Sequence, residues 1–157
     1  MALTPEQIKT DYPLPVYNYR VDIGTATIAF SEISGMEMAF DTISYSESRS
    51  ASGKPGPVVM HMPGLPKPVQ LTLKKGYVRS KSIAVLYDWI KSIELNRVEK
   101  KDVTVHLCDE KGDSVVRWKV IDAFPTKLTA PTFSATANEV AIESMEFMAS
   151  SLEISES

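Results

Sequence analysis

Apolar and polar residues alternate with period two in segment after segment of this chain, whereas a helical period occurs once. Tyr17, Tyr19, Val21 and Ile23 fall on one side of an extended segment, with Asn18, Arg20 and Asp22 on the other. Gly24-Thr25 then marks a turn, and Ala26, Ile28 and Phe30 give the apolar side of a returning strand. A third extended stretch covers roughly 36–45. Val69, Leu71 and Leu73 alternate with Gln70, Thr72 and Lys74 up to Gly76. Further on, Val103, Val105 and Leu107 alternate with Thr104, His106 and Cys108. The polar residues 109–113 read as a hairpin turn into Val116, Trp118 and Val120. Residues 126–132 and 139–148 read as the last two strands. A change of phase between Ile142 and Met145 predicts a bulge in the latter.

The single helical pattern lies over 80–94, where Ile83, Leu86, Tyr87, Ile90 and Ile93 follow one buried face and Ser80 or Ser82 can cap the start. Residues 46–68 hold five of the ten prolines and three of the seven glycines. Proline cannot donate to a ladder, so this segment is expected to leave the body as a long loop. Residues 1–12 read as a polar leader. The expectation is a mainly β protein, a barrel-like β-sandwich of seven or eight strands with one packed α-helix and one long projecting loop, in a single domain over 1–157. Such an inventory leaves open sheet edges, and sharing them between subunits is one way to satisfy them.

Composition narrows the function. The chain has 157 residues, 43% hydrophobic and 24% charged, as in soluble globular proteins. A net charge of −3 argues against a broad nucleic-acid surface. The one cysteine, Cys108, excludes an intrachain disulfide, and the start Met1-Ala2-Leu3-Thr4 has neither the basic nor the apolar part of a secretion signal. No apolar run approaches the ~20 residues of a membrane span. Folding in a cytoplasm is the simplest expectation.

Catalytic and metal chemistry find little support. His61 and His106 lie on different segments without a nucleophile-elbow or cysteine-protease context. His106 and Cys108 share a strand face but lack the second ligand pair that structural zinc needs, so they read as polar residues on a less buried face. Met60-His61-Met62 is soft enough for copper, yet two methionines beside Pro63 read better as packing groups. Gly53-Lys54-Pro55 lacks the Ser/Thr of a phosphate loop. Asp109, Glu110 and Asp113 lack calcium-loop spacing. Trp89 and Trp118 read as core residues rather than base-stacking platforms. No enzyme activity, cofactor or metal is expected.

An ordered set of short stretches resembles the tail tube proteins of contractile phage tails and of extracellular contractile injection systems. The set comprises 17–23, Phe30-Ser31-Glu32-Ile33-Ser34-Gly35-Met36, Leu71-Thr72-Leu73-Lys74-Lys75-Gly76 and Leu86-Tyr87-Asp88-Trp89-Ile90. Residues 103–107, Trp118, Ala123-Phe124-Pro125-Thr126-Lys127 and Asn138-Glu139-Val140-Ala141-Ile142-Glu143 complete it. Residues 92–101 look most like the injection-system branch, and 48–63 depart most from the family pattern.

The resemblance implies six copies per ring and rings stacked into a hollow tube. Its partners would be a sheath, spike, hub and baseplate proteins, a tube terminator or cap, and protein cargo in the lumen. It also implies assembly in the bacterial cytoplasm, into a particle or virion tail. On this reading 46–63 is the inter-ring loop, with Ser48, Lys54, Pro57, Val58, Val59, Met60 and Met62 in the contact. Val140, Ile142, Met145 and Phe147 would form the intra-ring edge, and Asn18, Arg20, Asp22, Gln70, Thr72 and Lys74 are candidates to face the lumen. Two other readings are the type VI secretion tube protein, haemolysin-coregulated protein, and a small β-barrel ligand-binding protein.

Overall fold

Strands with one apolar side must bury it, and eight strands here do so against one another. The computed structural model describes residues 2–48 and 56–156. Within them the eight strands form one hydrogen-bonded path, all antiparallel. They are β1 (Tyr19–Ile23), β2 (Ala26–Ile28), β3 (Glu32–Ser34), β6 (Val69–Gly76), β7 (Lys101–Cys108), β8 (Ser114–Thr129), β9 (Ile142–Ala149) and β10 (Ser151–Glu156). The order is β2-β1-β7-β8-β9-β6-β3, with β10 on the other side of β8.

Sixteen-residue β8 joins the two layers. Its first half pairs with β7 and β10, and its second half pairs with β9. Between the halves Asp122 takes a left-handed conformation (φ 56°), and its N–H donates to Asp102 Oδ1 at 3.1 Å. A register shift follows between Pro125 and Lys127. The inner faces then enclose one core, with Val21, Val103, Val105 and Val120 from one layer and Leu71, Leu73, Met145 and Phe147 from the other. Gly35 lets the chain cross β6, because a Cβ there would lie 2.3 Å from the Gln70 carbonyl oxygen and its φ is +90°.

The helical segment closes one side of the core. A π-helical turn (Ile83–Tyr87) runs into the short helix α2 (Asp88–Lys91). This widened turn shifts the buried stripe to Leu86 and Trp89, leaving Ile83 and Tyr87 exposed, contrary to the straight helical pattern. Trp89 donates its indole N–H to the Glu99 carbonyl at 2.8 Å and packs on Phe147, ring centroids 5.2 Å apart. Ser82 accepts from the Val78 N–H at 3.1 Å and so ties down the entry to the helix, while Ser80 (φ 69°) is a turn residue.

Four expectations need correction. The described residues hold ten strands, not seven or eight; the short β3, the hairpin strand β5 (Pro57–Pro66) and β10 escape a pattern reading. The leader contains helix α1 (Pro5–Asp11), held by a capping box in which Thr4 and Gln7 satisfy each other's N–H groups. β9 alternates without a bulge, because Glu143, not Ile142, points inward. Lastly, His106 and Cys108 are buried, since β1 and the start of β8 cover them.

Candidate assembly surfaces

The segment expected to be a loop is largely a two-stranded ribbon, β4 (Phe40–Ser48) with β5, closed at its base by the Lys67 N–H donating to the Ala39 carbonyl at 2.8 Å. Prolines fit because each strand of a ribbon has an outer edge that needs no donor. Nine residues at about 3.4 Å each carry the ribbon roughly 30 Å from its base. Register assigns its faces: Ile43 lies opposite Met62, Tyr45 opposite Met60 and Glu47 opposite Val58 on one side. Ser44 opposite His61 and Ser46 opposite Val59 form the other, where Ser44 Oγ and His61 Nδ1 are 2.9 Å apart. Ile43, Tyr45, Met60 and Met62 are 50%, 51%, 39% and 43% exposed, an apolar stripe with nothing of its own chain upon it. Of the residues expected at the inter-ring contact, Ser48, Pro57, Val58, Val59, Met60 and Met62 all lie on this ribbon. Lys54 lies outside the described residues.

The expected intra-ring edge does not hold as a unit. β9 pairs with β6 from Ile142 to Ala149 and with β8 from Ser144 to Met148, so its hydrogen bonds are spent inside the subunit. Met145 and Phe147 are fully buried core residues and cannot touch a neighbour. Val140, 75% exposed, precedes the strand, and Ile142 is at its first position. Among the described residues the strands paired on one side only are β2, β3 and β10.

The polar candidates fall on different layers. Register places Arg20, His106, Arg117 and Ser155 in one cross-strand row, and Asp22, Thr104, Lys119 and Glu153 in the next. Asp22 accepts from Thr27 and meets His106 Nε2 at 2.9 Å, while His106 Nδ1 and Ser114 Oγ are also 2.9 Å apart. This chain of side-chain contacts ties β1, β2, β7 and β8 together. On the other layer the rows are Glu32, Lys74, Ser144, Thr129 and Ser34, Thr72, Glu146, Lys127, with Gln70 beyond. Asn18 is committed elsewhere, because its amide donates to the Asp109 carbonyl at 2.6 Å and supports the turn before β8.

That turn also carries the shifted titrations. Backbone N–H groups of Asp113 and Lys111 hold the Asp109 carboxyl below its ordinary range. The ion pair of Lys9 with Glu110 at 3.0 Å raises the former and, after a backbone contact, helps to lower the latter. Among the described residues no three His, Cys, Asp or Glu side chains gather to hold a metal ion, and no helix is long and apolar enough to cross a membrane.

A two-layer β-sandwich with a flanking helix is the fold of Hcp1 from Flavobacterium johnsoniae, which covers 90% of this chain and 97% of its own at TM-score 0.52 and 13% identity. That likeness is one of fold alone. The chain belongs to the T4-like virus tail tube protein gp19 family, whose model matches residues 15–153. It is 36% identical, over 99% of its length and all of the other's, to a chain of the PVC sheath-tube complex of an extracellular contractile injection system in the extended state (TM-score 0.88). It is also 37% identical, over the whole of both chains, to a chain of the anti-feeding prophage tube terminating cap structure (TM-score 0.84). No curated protein matches it.

Proposed function

We propose that this chain is the inner-tube subunit of an extracellular contractile injection system, stacking as six-membered rings around a hollow lumen. The observation that carries this reading is identity of more than a third, over essentially the full chain, to components of two such particles. A structural rather than catalytic role follows from the family. The projecting ribbon with its unpartnered apolar stripe supports stacking: each ring reaches the next through 46–63, with Met60 and Met62 on the apolar face and Lys54 near the tip. One-sided strands β2, β3 and β10 are the places where subunits within a ring can join ladders.

A sandwich turns one outer face to a central channel, so the set Arg20 and Asp22 and the set Gln70, Thr72 and Lys74 are alternative lumen linings. Both are polar and charge-mixed, which lets cargo slide without sticking. A sheath around the tube, a hub with spike at the baseplate end and a terminator or cap at the other are the expected partners, with protein cargo inside. The particle assembles in the bacterial cytoplasm and acts after release or at the envelope. Negative-stain microscopy of the purified chain tests the reading: rings or tubes of constant width support it, and dispersed monomers at high concentration refute it.

A further inference from the structure

Between α2, β9 and the segment after β8 lies a cavity of about 340 Å³ lined by Tyr77, Ser82, Tyr87, Leu128, Pro131 and Glu143. Its floor is anomalous. Glu143 is only 7% exposed, and its Oε1 has no hydrogen-bond partner. Such an oxygen has lost its water and received nothing in exchange, which a folded protein rarely tolerates without a use. Lys75, directly opposite on β6 and equally buried, does not neutralise it, because its ammonium donates to the Gly76 carbonyl at 3.2 Å.

We infer that this cavity receives one alkylammonium or alkylguanidinium group, the end of a lysine or arginine side chain, and that a second copy of the chain supplies it. The volume suits one such side chain. Leu128, Pro131 and the two tyrosines offer apolar walls for an aliphatic stem, leaving the charged head to meet Glu143. Tyr77 and Tyr87 are each 46% exposed at the rim, and Lys91 already stands 5.7 Å from the Tyr87 ring centre, so a cation is compatible with this aromatic wall. An anion would meet the carboxylate, and a neutral apolar group would leave Oε1 orphaned. A divalent metal would need more oxygen ligands than the one carboxylate here. Self-supply rests on the tube reading above, since stacked rings present every surface of the chain to copies of itself.

The test begins with isolated, unassembled subunits, so that it stands apart from the tube reading. n-Butylguanidinium, titrated into labelled protein, should give saturable NMR shifts at Tyr77 and Tyr87, and n-butanol should not. Glu143→Gln should weaken that binding at least tenfold and raise the concentration needed for assembly at least tenfold. Should Glu143→Gln fail to fold, Ala130→Phe fills the cavity from its exposed rim with Glu143 intact and should have both effects. Absence of saturable shifts, or equal affinity in a folded variant, overturns the site. Lost binding with unchanged assembly overturns self-supply. Failure of the wild-type chain to assemble under any condition refutes the tube reading while leaving the binding measurement in force.

Discussion

Replacing Ile43, Tyr45, Met60 and Met62 together with threonine should leave subunits folded and abolish long tubes. These four side chains share one face of the ribbon and are 50%, 51%, 39% and 43% exposed, so about half of each is still available for burial. Full burial of such a side chain is worth roughly 1.5–3 kcal/mol, so the half that remains contributes about 0.7–1.5 kcal/mol each. For four residues that is roughly 3–6 kcal/mol per arm, or about 10²- to 10⁴-fold in ring stacking at ~1.4 kcal/mol per decade. Threonine keeps strand preference, and the ribbon packs mainly upon itself, so subunit melting should shift by only a few degrees. The assays are thermal denaturation by circular dichroism and tube-length distributions in negative stain. Tubes of wild-type length from a variant with native melting would show that this stripe is not a stacking surface. A collapsed melt would instead show that the ribbon contributes to the subunit's own stability.

Gly35→Ala should lower stability by about 2 kcal/mol or more, since the position combines positive φ with a Cβ driven into the Gln70 carbonyl; a drop of several degrees in melting temperature checks it. Phe147→Ala should cost roughly 3–5 kcal/mol by opening the core beneath Trp89, and urea denaturation measures it; a loss below 1 kcal/mol would contradict the packing described. The depressed Asp109 carboxyl supports its turn above the ordinary carboxylate range and loses that support as pH falls through the folded-state pKa. Amide exchange at Lys111 and Asp113, corrected for its intrinsic pH dependence, should therefore quicken in acid, and Asp109→Asn should already show that loosening at neutral pH. Lys9 is raised, so its contact with Glu110 is present below the ordinary lysine pKa and is lost as pH climbs through the folded value, which lysine-detected NMR can follow.

Much of the body was legible because alternation is a local record of burial. β1, β6, β7 and the first half of β8 each show their inward face in the residues themselves, and Trp89 and Trp118 read correctly as packing groups. The family was legible for the same reason, since its motifs lie on those buried strands and their turns. Other features depend on contacts distant in the chain. The proline-bearing β5 is a strand only because β4 pairs with one of its sides, and nothing within 57–66 announces that partner. Met145 and Phe147 carry the apolar signature of any sheet, edge or centre, and only the placement of β6 and β8 on either side makes β9 central. Position 143 is the sharpest case. Hydrophobicity alone turns Ile142 inward and Glu143 outward, yet pairing with β6 and β8 fixes the phase of the whole strand and drives the carboxylate under the helix. Local chemistry determined which segments would become strands; the register of one strand against another, a property of the assembled sheet, decided which side chains were left with unmet needs.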